Sequence, residues 1–239
     1  MASADDAQSQ DSTTAWLPSP ERLEVLAEFA AGAGHEINNP LATIIGRAQQ
    51  LLRDETNPQR RQSLAIIATQ AYRVRDMIGD VMTFARPPTP QRSVFDAAAQ
   101  IRTIAERLQE PLTAGSCELA VTGSSAARID ADSSQFAVVI SELIRNAITA
   151  LQPDGGTITV TVSTAERGVE VAVTDHGKGF TSTEREHAFD PFFSGRQAGR
   201  GLGFGLCKAA RIVHLHGGAV LIHSPPGGPT TITTQWPSV

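Results

Sequence analysis

The stretch Phe29–Leu52, FAAGAGHEINNPLATIIGRAQQLL, decides how the N-terminal part of the chain is read. Its apolar residues recur at helical spacing, yet Gly32 and Gly34 precede His35, Glu36 follows it, and Pro40 lies inside the pattern. A zinc-binding H-E-x-x-H helix needs a second histidine at i+4 to complete one metal-binding face. Position 39 is Asn39, so that chemistry is excluded.

Helical patterning begins after Pro20 and runs to about Asp54, with Leu23, Leu26, Ala30, Ala33 and Ile37, then Leu41, Ile44, Ala48 and Leu51. The segment DETNP breaks it, because Asn57-Pro58 favours a turn. A second helix carries Leu64, Ile67, Ala71, Val74, Ile78, Val81 and Ala85, alternating spacings of three and four, which is a heptad seam. The pair reads as an antiparallel hairpin with an apolar face on each helix. Such a hairpin cannot bury both faces alone; two copies in a symmetric dimer form a four-helix bundle that can. His35 lies two residues from both Ala33 and Ile37, which turns it about 200° from either, away from the seam and into water. A lone histidine in that position is ordinarily a solvated surface residue.

The whole composition narrows the classes. The chain has 239 residues, 41% of them hydrophobic, and a net charge of −5, enough for one large or two modest domains with a real core. There is no basic run of the kind that marks a nucleic-acid face or a membrane-surface helix. No apolar run approaches the roughly 18 residues that cross a bilayer. The start, MASADDAQSQDSTTAW, lacks the basic and apolar regions of a secretory signal. Cys117 and Cys207 are isolated in apolar patterns, as buried thiols in a reducing compartment would be. The expectation is a soluble, cytoplasmic protein with no membrane segment in this chain and no nucleic-acid partner.

Residues 1–18 are rich in Ser, Thr, Asp and Gln and read as a disordered tail, and residues 19–88 as the hairpin. ARPPTPQRSVFD, Ala85–Asp96, is a proline-rich break, and residues 93–239 follow as an α+β domain. Asp96 caps a helix with Ile101, Ile104, Leu108 and Leu112 on one face; CELAV and ARID are short strands; a second helix runs from near Asp132 through FAVVISELIRNAITAL. GTITVTVST and GVEVAVTD alternate apolar and polar residues across AERG, as paired antiparallel strands do. A helix through GLCKAARIVHLHGG ends at Gly217, and AVLIHS and TTITTQWP close the sheet.

Four elements of this domain suit a nucleotide. SELIRNAITAL puts Glu142 and Asn146 at i and i+4 on one helical face, TDHGKGF places Asp175 at a strand end before Gly177 and Gly179, FDPFF is an aromatic loop, and AGRGLGFGL holds Gly199, Gly201, Gly203 and Gly205 before a helix. Glycines ahead of a helix let backbone N–H groups approach phosphate oxygens. The amide oxygen of Asn146 is a hard ligand suited to Mg²⁺, which takes few protein groups. An aspartate at a strand end can accept a hydrogen bond from an adenine amino group. The late position of the glycines excludes a Rossmann fingerprint, and no Walker loop occurs.

GHEINNPL, ELIRNAITAL, DHGKGF, FDPFF and GRGLGFGL…IVHLHGG resemble, in that order, the H, N, G1, F and G2 boxes of sensor histidine kinases, over about residues 20–237. The resemblance implies a dimerisation and phosphotransfer hairpin followed by an α+β sandwich of the gyrase and mismatch-repair ATPase type. It implies ATP and Mg²⁺, with His35 as phosphoacceptor, Asn146 as Mg²⁺ ligand, Asp175 as adenine reader and Gly177 and Gly179 shaping the pocket. Gly199, Gly201 and Gly203 would face the phosphates, with Arg196 and Arg200 as candidates for the γ-phosphate. Glu36 would act as general base beside His35. Asn39, one turn after His35, matches the family's E-x-x-N pattern and would hold water for removal of phosphate from a regulator.

The implied function is autophosphorylation of His35 and transfer to an aspartate on a response-regulator receiver domain, from a homodimer. The alternative is a histidine phosphotransfer or phosphatase module with lost kinase activity; a non-enzymatic scaffold is a third reading. The family's N box usually has asparagine where this chain has Glu142, which resembles the water-activating glutamate of the wider ATPase superfamily or assists Mg²⁺ through water. Members usually carry a sensory domain ahead of the hairpin, so the resemblance points to a separate sensor protein or to an excised core.

Overall fold

The computed structural model describes residues 12–15, 18–124, 127–166, 168–193 and 203–238, which divide into two units, 18–88 and 89–239, the second taking in the segment before Pro18. In the first unit, helix α1 spans Pro20–Asp54 and α2 spans Pro58–Ala85. Proline opens each, where its missing N–H leaves no hydrogen bond unmade. The turn between them satisfies its own backbone. The Asn57 side chain accepts from the N–H groups of Gln59 and Arg60, and Arg61 Nη1 donates to the carbonyls of Leu52 and Glu55, both at 2.8 Å. Helix α1 runs through Pro40 without ending.

The buried residues of α1 are Leu23, Ala27, Ala30, Gly34, Leu41, Ile45 and Ala48, a heptad rhythm facing α2. Gly34 belongs to it because a Cβ there would lie 3.3 Å from Ile78 Cγ2. This corrects the sequence expectation, which merged two stripes. Ile44 and Leu51 are 45% and 58% exposed, and on α2 Ile67 and Val74 are 49% and 38% exposed. Those residues form a second apolar stripe outside the hairpin seam.

In the second unit β1 (Ser12–Thr14) is followed by β2 (Ser93–Asp96), α3 (Ala97–Arg107), α4 (Gln109–Ala114), β3 (Cys117–Gly123) and β4 (Arg128–Ala131). Then come α5 (Ser133–Ala150), β5 (Gly156–Ala165), β6 (Gly168–Asp175), α6 (Ser182–Glu186), α7 (Gly205–Leu215), β7 (Val220–His223) and β8 (Thr230–Trp236). The main sheet has the order β1-β7-β8-β6-β5-β3, and β2 pairs with β4 in a separate two-stranded sheet. Val160 and Val162 of β5 and Val169, Val171 and Val173 of β6 are buried against a layer formed by α3, α5 and α7. Phe136 of α5 meets Phe95 and Trp236 edge-on at 5.3 and 5.0 Å, joining the small sheet to the main core.

Three features differ from the sequence expectation. Ser12–Thr14, assigned to a disordered tail, pairs antiparallel with β7. Ser93–Asp96, read within a proline-rich break, is a strand against β4. CELAV pairs with β5 in parallel, Cys117 opposite Gly156, so the sheet is mixed. Among the described residues no helix is long and apolar enough to cross a membrane.

Candidate functional site

His35, Glu36 and Asn39 all lie exposed on α1, within one helical turn. Their exposure follows from the seam: Gly34 and Leu41 take the inward positions, so His35 and the i+4 residue Asn39 share an outward face. Thr43 Oγ1 donates to the Asn39 carbonyl at 3.2 Å. The turn therefore presents an imidazole, a carboxylate beside it and a primary amide one turn on.

The second constellation is arranged along α5. Asp132 caps that helix, its carboxylate accepting from the N–H groups of Ser134 and Gln135. Glu142, Asn146 and Ala150 then follow at intervals of four on one face. At the Glu142 end stands Gly205, the first residue of α7: a Cβ there would lie 2.9 Å from Glu142 Oε2 and 3.7 Å from Asn146 Nδ2. At the other end stands Gly177, whose Cβ would lie 2.7 Å from the Ala150 carbonyl oxygen and 2.8 Å from Asp175 Oδ1. Thus two loops close on α5 about 12 Å apart, two turns of helix.

Asp175 ends β6 opposite Thr230 and is 5% exposed. Burial pushes its carboxyl pKa above the usual range, opposed by the Gly177 N–H, which donates to Oδ1 at 2.9 Å, and by nearby His176. Gly179 has φ +68, and a Cβ would strike the Pro225 carbonyl and the Gly228 nitrogen. The loop is pinned by the Phe180 N–H donating to Ser224 Oγ at 2.9 Å and by Ser224 Oγ paired with Thr230 Oγ1 at 2.7 Å. Gly203, with φ +69, leaves room for the backbone of Phe192 and Phe193, and Phe192 packs edge-on against Phe204 at 4.7 Å. The structure thus gathers Glu142, Asn146, Asp175, Gly177, Gly179 and Gly203 in one unit. Arg196, Gly199, Arg200 and Gly201 lie outside the described residues.

One residue of this site escaped the sequence reading. Lys208 of α7 is 7% exposed, and its Nζ lies 2.8 Å from Glu142 Oε1. The signal was its place four residues from both Phe204 and Ile212, each 1% exposed, on the inward stripe of α7. A buried ammonium there needs a counter-charge, and the partly exposed Glu142 supplies one.

Asn146 offers an amide oxygen of the kind Mg²⁺ takes, whereas Glu142, the other candidate, has Oε1 on Lys208 Nζ and Oε2 beside Gly205. Among the described residues no group of three His, Cys, Asp or Glu could form an all-protein metal cage.

Residues 25–90 match the His Kinase A (phospho-acceptor) domain, and residues 131–239 match the histidine kinase-, DNA gyrase B- and HSP90-like ATPase domain. The chain is 30% identical over 219 residues to the sensor histidine kinase ZraS of Escherichia coli K12, covering 91% of this chain and 46% of that protein. It is 26% identical over 236 residues to the signal transduction histidine-protein kinase AtoS of the same organism, covering 97% of this chain and 38% of that one. The chain thus spans half or less of the length of these relatives. Among solved structures, full-length ShkA in complex with AMPPNP has a TM-score of 0.76 at 23% identity, covering 93% of this chain and 46% of that one. Histidine kinase ThkA in complex with response regulator TrrA has a TM-score of 0.66 at 22% identity, covering 92% and 64%. By its two domains and its relatives the chain belongs to the histidine kinases, as a phosphoacceptor hairpin followed by a gyrase-like ATPase domain.

Proposed function

We propose that this chain is the core of an ATP-dependent protein histidine kinase that phosphorylates His35 and passes the phosphoryl group to an aspartate of a response-regulator receiver domain. The observation that carries the proposal is the spacing along α5, where an acidic strand end at Ala150 and the start of α7 at Glu142 and Asn146 stand about a nucleotide's length apart. Asp175 accepts a hydrogen bond from the adenine amino group, while Gly177 and Gly179 admit the base. Asn146 would hold Mg²⁺ through its amide oxygen, and the ion would neutralise phosphate charge. Gly203, with Gly199, Gly201, Arg196 and Arg200, serves the phosphate end.

The chemistry then needs an accessible nucleophile on the other unit. His35 is exposed, and an imidazole nitrogen is a nucleophile that can form a covalent intermediate. A ring nitrogen bonds the γ-phosphorus while the bond to the ADP oxygen breaks, and Glu36 takes the ring proton. The phosphoryl group then moves to the receiver's aspartate. Asn39 holds the water that later hydrolyses that aspartyl phosphate. The exposed second stripe of the hairpin, from Ile44 and Leu51 to Ile67 and Val74, supports a homodimer.

The test is incubation with γ-labelled ATP. Label should appear on the chain, survive base and be lost in acid, as phosphohistidine is. His35→Ala should remove it. Acid-stable label, or label that persists in His35→Ala, would sink the assignment.

A further inference from the structure

The Glu142–Lys208 pair sits where the superfamily's water-activating carboxylate would stand, yet that carboxylate already has a cation. Glu142 Oε1 lies 2.8 Å from Lys208 Nζ, and the Glu142 and Lys208 side chains are 25% and 8% exposed. Oε2 is turned to the backbone of Gly205, where even a methyl group would crowd it at 2.9 Å. Lys208 stands at the fourth residue of α7, close to the positive end of that helix, where a buried ammonium is unfavourable without an anion. Glu142 supplies that anion, and the ammonium in turn fixes the carboxylate.

We propose that Lys208 is a positioning residue that withholds Glu142 from water, so that bound ATP is spent on His35 and not on hydrolysis. The proposal rests on the kinase reading above. To hydrolyse ATP, the Glu142 carboxylate must take a proton from water as the water oxygen bonds the γ-phosphorus and the bond to the ADP oxygen breaks, giving ADP and phosphate. A carboxylate oxygen that accepts a charge-assisted hydrogen bond at this distance offers a poorer acceptor to a water proton. Removing the ammonium frees that oxygen, and a positioned proton acceptor contributes about 10²- to 10⁴-fold.

The experiment uses the whole chain and compares the parent with Lys208→Met, Lys208→Arg, Glu142→Gln and the Glu142→Gln/Lys208→Met double variant. Phosphate release, label on His35 and calorimetric affinity for a non-hydrolysable ATP analogue are measured for each. Lys208→Met should raise phosphate release about tenfold or more relative to label on His35, and Lys208→Arg should keep it low. The double variant should return release to the parent's level, because an amide cannot take the proton. Thermal melts supply a readout independent of turnover: each single neutral variant should melt lower than the parent, and the double should recover part of the loss.

Phosphate release that stays within about twofold of the parent in a Lys208→Met protein that still binds the analogue overturns the proposal. So does a high rate that persists in the double variant, or strictly additive melting shifts. If Lys208→Met does not fold, Lys208→Gln takes its place, being neutral but still able to donate to the carboxylate. Loss of analogue binding in a folded Lys208→Gln protein also overturns the idea, since it makes Lys208 a nucleotide ligand. Failure of the parent to bind the analogue or label His35 would instead sink the kinase reading.

Discussion

Asp175 is a nearly buried carboxylate whose pKa is raised by burial, and this gives its substitution two opposite effects. A carboxyl raised in the folded state favours folding while protonated; that contribution is complete below its unfolded pKa of about 3.9 and lost as pH rises through the folded value. At neutral pH the ionised group therefore burdens the apo fold. Asp175→Asn keeps an oxygen for the Gly177 N–H and removes the charge. It should melt a few degrees higher than the parent at pH 7, the gap closing as pH falls to about 4, while calorimetric affinity for ATP weakens about tenfold or more. Unchanged affinity would show that adenine is read elsewhere. Asn39→Ala separates two other roles: alanine favours an exposed helix, so the hairpin should not weaken. Label on His35 should persist while dephosphorylation of a phosphorylated receiver slows about tenfold, measured with the purified partner; an unchanged rate would leave Asn39 structural. The placement of Asp175 at a strand end and of Asn39 on an exposed helical face was legible in the sequence because each belongs to a short motif. Lys208 was missed because its only local signal is its place on the inward stripe of α7, while its partner Glu142 lies on another helix.

At the scale of elements, local periodicity predicted helices and the β5–β6 hairpin, but not which stripe faces which neighbour. Both Leu23-Ala27-Ala30-Gly34 and Ala33-Ile37-Ile44-Leu51 follow steps of three, four or seven, so spacing alone cannot choose between them. Gly34 against Ile78 settles the inner seam. β2 and the parallel β3–β5 pairing escaped because each depends on a partner distant in sequence, which alternation along one strand does not reveal. The two stripes predict different consequences for one kind of substitution. Ile44→Asp with Ile67→Asp places charge on the outer stripe and should convert the proposed dimer to a monomer by light scattering, leaving far-UV helicity close to the parent's. Ile78→Asp places charge inside the hairpin seam and should lower helicity as well as mass. A dimeric Ile44→Asp/Ile67→Asp protein would mean that the bundle forms through another face.

For the whole molecule, the break at Ala85–Asp96 was legible from its prolines, but it does more than separate two units. The Gln91 N–H donates to Asp132 Oδ2 at 2.8 Å, and Arg92 Nη1 lies 3.6 Å from Asp130 Oδ2. Asp132 caps α5, and its own backbone N–H donates to Nε2 of fully buried His216, whose Nδ1 side meets the Ile212 carbonyl at 2.9 Å. The end of the linker thus reaches the helix that carries Glu142 and Asn146. Burial alone would raise the Asp132 pKa, but the N–H groups of Gln91, Gln135 and Ser134 together hold it below the usual value. A depressed folded pKa contributes stability above the unfolded value of about 3.9 that is lost as pH falls through the folded one. A fragment of residues 89–239 should therefore melt higher at pH 7 than one of residues 93–239, which lacks the Gln91 donor. Asp132 is partly exposed, so the difference should be about 1 kcal/mol, or roughly 2–4 °C. It should shrink as pH is lowered below about 4. Both fragments should bind ATP with similar affinity, since neither loses a pocket residue. Coincident melting curves at pH 7 would show that Gln91 contributes nothing to α5, and a difference that grows in acid would reverse the sign argued for Asp132.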